Sequence, residues 1–93
     1  MEITFDPAKR DLTLKHRELD FARAGEVFAA ETATIVDDRV DYGETRFITA
    51  GHLDNRLVVV VWTQRGEARH IISMRHCHAK EEEVWLRRMD RSR

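Results

Sequence analysis

The chain has little of what braces many small folds from outside. It holds one cysteine, Cys77, so no intramolecular disulfide can close and a secreted, disulfide-stapled scaffold is excluded. One proline and four glycines in 93 residues exclude a linker or a low-complexity segment. No sign of charge is in excess: 16 Lys and Arg stand against 17 Asp and Glu, so any contact with nucleic acid must come from a local patch. The longest apolar run, Leu57 to Trp62, is far short of the roughly 20 residues that span a bilayer, and no membrane partner is expected. The start Met1-Glu2-Ile3-Thr4-Phe5 has no charged, apolar, cleavable leader pattern, which makes the cytoplasm the expected compartment.

What is present suits a folded protein. Hydrophobic residues make up 42% of the chain and charged ones 35%, and a length of 93 residues encloses one modest core, so residues 1–93 are expected to form one domain. Glu2 to Phe5 alternates polar and apolar as a short strand does. Asp6-Pro7 then starts a helix, with Asp6 as cap and Pro7 at the first position, where its missing N–H costs nothing. That helix is predicted to reach about His16. A second helix, capped by Asp20, places Phe21, Ala24, Gly25 and Phe28 on one face and ends near Phe28 or Ala29. Thr34-Ile35-Val36 reads as a strand, and Asp37-Asp38 after it as a turn.

From Arg46 to Arg75 the pattern is a meander: Arg46 to Leu53, a turn at Asp54-Asn55, Arg56 to Thr63, a turn around Arg65-Gly66, and Ala68 to Arg75. The middle strand is apolar at every position from Leu57 to Trp62, which predicts a central strand covered on both faces. A last helix, about His78 to Arg88, carries Glu81, Glu82 and Glu83 early and Arg87 and Arg88 late, complementing the helix dipole. The expected fold class is α+β, in the order β-α-α-β-β-β-β-α, with a mainly antiparallel twisted sheet packed by helices.

Three segments carry the chemistry: Phe5-Asp6-Pro7-Ala8-Lys9, Asp41-Tyr42-Gly43-Glu44-Thr45-Arg46, and His70-Ile71-Ile72-Ser73-Met74-Arg75. Together with Phe21 and Ala24 of the second helix and Glu81 of the last, they resemble the BrnT family, the ribonuclease toxins of bacterial type II toxin-antitoxin pairs. Some positions depart from the family pattern: Thr13 stands for Asn, His16-Arg17 for Lys-His, Glu18 for Gly, and His70 for Arg. The resemblance implies a RelE-like fold and a metal-independent endoribonuclease that inhibits translation, with RNA as substrate and no cofactor. It also implies a BrnA-like ribbon-helix-helix antitoxin, in a 2:2 complex that binds promoter DNA through the antitoxin.

Cleavage by the ribose 2′-OH needs a base for that hydroxyl, an acid for the departing 5′-oxygen, and cations for the charge gathering on phosphorus. The resemblance assigns Glu44 or His16 as base, His70 as acid, and Arg46, Arg75 and Lys9 as phosphate ligands, with Arg17, Arg65, Arg69 and Ser73 as substrate contacts. With two-residue turns, alternation predicts Glu44, Arg46 and His70 on one sheet face and Arg69, Ser73 and Arg75 on the other; a three-residue turn at Arg65-Gly66 reverses that split. Each group also has a plainer reading, as surface ion pair, half-buried histidine or packing serine. Two other functional classes stay open: a partner-binding module without catalysis, and a small metal protein using His76 and His78, with Cys77 pointing away from both.

Overall fold

The computed structural model describes residues 2–91. A five-stranded sheet runs β1 (Glu2–Phe5), β5 (Ala68–His76), β4 (Arg56–Arg65), β3 (Arg46–Leu53), β2 (Thr32–Asp37), with β1 parallel to β5 and every other pair antiparallel. The helices are α1 (Pro7–Arg17), α2 (Ala24–Ala29), entered through a 3₁₀ turn at Phe21–Arg23, and α3 (Ala79–Arg91). The α+β class and the element order are those the sequence predicts.

The helix starts follow from their caps. Asp6 Oδ1 accepts the Ala8 N–H at 2.9 Å, and Asp20 Oδ1 accepts that of Ala22 at 2.9 Å, each taking a donor the first turn leaves over. Asp20 also holds Arg10 of α1 through two nitrogens at 2.9 Å each, which ties the two helical segments together. Both hairpin turns hold two residues. Asp54 and Asn55 have φ of 51° and 64°, the left-handed pair that a tight hairpin requires, and the second turn is Gly66-Glu67, one residue later than the sequence reading put it.

β4 is the central strand, and it is covered on both faces. On one face Phe21, Ala24 and Val27 pack against Val58, Val60, Trp62, Ile71 and Met74. On the other, Trp85 and Met89 of α3 pack against Ala33, Ala50, Leu57 and Val59. Fully burying a side chain of this size contributes about 1.5–3 kcal/mol, so these two layers dominate the stability. α3 covers only the end of its face where those residues lie; the other end of the same face is left for polar side chains.

Two further differences from the sequence reading bear on the site. Asp37, read as a turn residue, is the last residue of β2 and is 5% exposed, because Arg39 folds back onto its carboxylate and makes a charged strand end tolerable. And β5 carries a β-bulge: Val61 pairs with Ser73 but Trp62 pairs with Ile71, which leaves Ile72 as the extra residue.

Candidate active site

Residues directly opposite each other across a sheet share a face. The register therefore lines up one polar row across all five strands: Asp37, Arg46, Thr63, His70 and Thr4. It lies on the α3 side, beyond the helix. The loop between β2 and β3 completes it, with Gly43 at φ 72° and its N–H donating to Asp41 Oδ1 at 2.9 Å, so that the chain turns and Glu44 extends the row's edge beside Arg65. Glu44 lies 3.6 Å from Arg46 Nε and 3.7 Å from Arg65 Nη2. Both are ion pairs too long for hydrogen bonds.

The bulge changes which residues join this face. Uninterrupted alternation would send Ser73 and Arg75 to the opposite side from His70. The extra residue Ile72 resets the phase, and Ser73 and Arg75 come round to the face of His70 while Met74 stays fully buried in the α2-side core. Arg69 precedes the bulge and stays on the other face, its guanidinium 4.1 Å above the Phe28 ring and 5.1 Å from that of Trp62. The structure does not bring Arg69 to the polar row.

Arg46 is held from below by Tyr42, whose ring centre is 4.0 Å from the guanidinium carbon. The Tyr42 hydroxyl donates to Asp37 at 3.3 Å, and Asp37 accepts two further bonds from Arg39 side-chain nitrogens at 2.7 and 2.8 Å. The Arg39 guanidinium is the main reason the Asp37 carboxyl is held down to about 2. The buried Arg46 Nε has no acceptor at hydrogen-bond distance among the described residues.

His70 is half-buried, with Nδ1 2.9 Å from Thr4 Oγ1. Burial first, and then the charges of Arg65 and Lys9, press its pKa below the ordinary histidine value, against a partial counter-pull from Glu44 and Asp6. In the free protein this favours the neutral ring over the imidazolium. Arg75 is engaged differently. Glu81, in the first turn of α3, grips it through both oxygens, with Nη2 to Oε2 at 3.1 Å, and also caps the helix by accepting the His78 N–H at 2.8 Å. Glu81 is pushed down to about 2, chiefly by Arg75.

Lys9, His16 and Arg17 stand on α1, along the part of β5 that β1 does not reach. With Leu12 and Thr13 they face Ile72 and Ser73 across a groove of about 390 Å³, and Arg17 Nη1 donates to the Met74 carbonyl at 3.0 Å. His16 thus lies on the groove side, with Ser73, and Glu44 acts on His70 more strongly than the other nearby carboxylate, Asp6.

The family pattern described as "Ribonuclease toxin, BrnT, of type II toxin-antitoxin system" matches residues 5–81, taking in every residue of this candidate site except Thr4. The chain belongs to the BrnT family. No curated protein matches it. Within this BrnT chain, sequence reasoning missed Asp37 and Arg39, which hold the Tyr42 ring under Arg46, and Thr4 and Thr63, which complete the row. Thr4 had a readable signal, since it alternates with Ile3 and Phe5 in a strand. Asp37 had none, because its burial depends on an arginine two residues away folding back.

For the metal reading, His76 pairs opposite Val58 on the α2 side and His78 is exposed beyond the end of β5, so strand alternation does not bring them together. Among the described residues, no three His, Cys, Asp or Glu side chains gather where they could hold an ion. Among the same residues no helix is long and apolar enough to cross a membrane.

Proposed function

We propose that this BrnT chain is an endoribonuclease that cuts single-stranded RNA by attack of the ribose 2′-OH on the adjacent phosphate, with no metal ion taking part. The observation that carries this reading is the gathering of Glu44, Arg46, Arg65 and His70 at one end of one sheet face, with Lys9 close enough to act on His70. Glu44 takes the 2′-OH proton. His70 gives a proton to the leaving 5′-oxygen. Arg46, Arg65 and Lys9 hold the phosphate and neutralise the charge that grows on it.

The loose pairing of Glu44 supports these roles. Its two arginines sit 3.6 and 3.7 Å away, so an arriving phosphate can draw them off and free the carboxylate oxygens for the 2′-OH. The same phosphate is an anion beside His70 and offsets the pressure that keeps the ring neutral, so the acid form is populated in the complex. Ser73 and Arg75 stand one and two rows further along the face, and Arg75 reaches the phosphate only if Glu81 shares it.

The same reading includes a BrnA-like ribbon-helix-helix antitoxin that covers the polar row, with two such pairs joined through the antitoxin dimer and bound to promoter DNA. The test uses purified protein, a chelator, and two oligonucleotides of one sequence, one of RNA and one of DNA. Cleavage of the RNA alone, leaving a 2′,3′-cyclic phosphate and a 5′-hydroxyl, is expected. Cleavage of both, or products with a 5′-phosphate, would overturn the 2′-OH mechanism.

A further inference from the structure

The geometry points to the groove between α1 and β5 as the seat of one nucleotide of the RNA strand, next to the scissile phosphate. Its base packs on Leu12 and Ile72, and its phosphate faces Lys9 and Arg17. This inference rests on the ribonuclease reading and adds to it a binding subsite outside the polar row.

The groove exists because α1 is pinned at both ends. Asp6 caps it where β1 stops, and Arg17 Nη1 donates to the Met74 carbonyl on the β5 edge at 3.0 Å. Between those anchors the helix buries none of its residues. Its volume of about 390 Å³ falls in the range of roughly 300–1,000 Å³ common to small-ligand sites.

The lining fits a nucleotide. Leu12 is 58% exposed, a large apolar side chain with its face in solvent, and the bulge residue Ile72 lies across from it. Aliphatic surfaces of this kind grip the flat face of a base without identifying it. Lys9 and Arg17 bring cations to the rim; the first turn of α1 holds no acid and its last turn carries Lys15, His16 and Arg17. Charge complementarity thus favours a polyanion over a protein segment.

Continuity with the polar row is the second support. Ser73 lines the groove and shares the face of His70, and Lys9 lines the groove and acts on the His70 ring. A strand whose phosphate lies against His70 therefore has its neighbouring nucleotide at the groove mouth. The bulge does two jobs at once: it turns Ser73 toward His70 and sets Ile72 into the groove.

The test is binding of a fluorescein-labelled, fully 2′-O-methylated RNA oligonucleotide, which cannot be cut, followed by anisotropy. Leu12→Glu keeps a helix-forming residue at an exposed position. Leu14→Glu makes the same change on the same helix outside the groove. Leu12→Glu is expected to weaken binding about tenfold, the scale of one lost apolar contact, and to raise KM on the cleavable RNA to match. Leu14→Glu is expected to bind as the unaltered chain does. Equal binding by the Leu12→Glu protein would overturn the inference, as would a loss confined to capture of the antitoxin. Leu12-dependent binding without cleavage of the matching RNA would uphold the subsite and sink the ribonuclease reading, so the two fail separately.

Discussion

At the scale of single residues, the polar row holds some of its charges short of full satisfaction. Arg46 rests on Tyr42 and faces Glu44 at a distance beyond hydrogen bonding, while Asp37, buried beneath, is satisfied by Arg39 and Tyr42. His70 has one ring nitrogen engaged by Thr4 and a pKa pressed below 6.5 by burial and by Arg65. If His70 is the acid, kcat/KM, which reports the free protein, must fall as pH rises through that lowered value. The alkaline limb of kcat/KM is thus expected below about pH 6.5, with the limb of kcat at higher pH because bound phosphate stabilises the imidazolium. A pH–rate profile with both limbs above pH 7 would contradict the acid role. The segments that bring Glu44, Arg46 and His70 to this row were legible in the sequence as motifs, although His70 itself stands where the family pattern has Arg. Asp37 was not, since an Asp-Asp pair after a short strand looks like a turn until the fold-back of Arg39 is seen.

At the scale of elements, nearly every boundary followed from local chemistry: Asp caps, a Pro at the first helical position, and an Asp-Asn hairpin turn. The phase of β5 did not. Its core residues Ile71 and Met74 are three apart, an odd spacing that uninterrupted alternation forbids, and only the pairing of β4 with β5 shows the bulge that reconciles them. One further packing feature is invisible to periodicity. Gly51 of β3 lies so close to α2 that a Cβ would meet Val27 Cγ1 at 2.7 Å and Thr32 Cγ2 at 3.0 Å. Val27 is fully buried and β-branched, so it cannot swing aside. Gly51→Ala is accordingly expected to destabilise the fold by about 1–3 kcal/mol, read as a lower urea midpoint at unchanged slope. A midpoint equal to that of the unaltered chain would show that α2 is not seated against β3 as described.

At the scale of the whole molecule, a near-neutral chain concentrates its useful charges on one end of one sheet face, and α3 covers the rest of that face with Trp85 and Met89. The titrating groups set a stability profile with a definite sign. His70 and His76 have lowered pKa values in the fold, chiefly from burial, so below about pH 6.5 the unfolded chain takes up protons first and stability falls. Asp37 and Glu81 are held at about 2, so a second loss follows as pH drops below the ordinary carboxylate range of about 4. The unfolding midpoint is expected to be higher at pH 7.5 than at pH 5, and lower again at pH 3; a midpoint that rises from pH 7.5 to pH 5 would contradict the burial assigned to the two histidines. The central claim is that Glu44 and His70 act on one bond. It is tested most directly by cleavage rates of Glu44→Gln, His70→Ala and the double variant, with folding checked by circular dichroism. Each single change is expected to cost about 10²–10⁴-fold, and the double little more than the worse single, as for groups serving one step. Rates near that of the unaltered chain, or losses that multiply in the double variant, would contradict it.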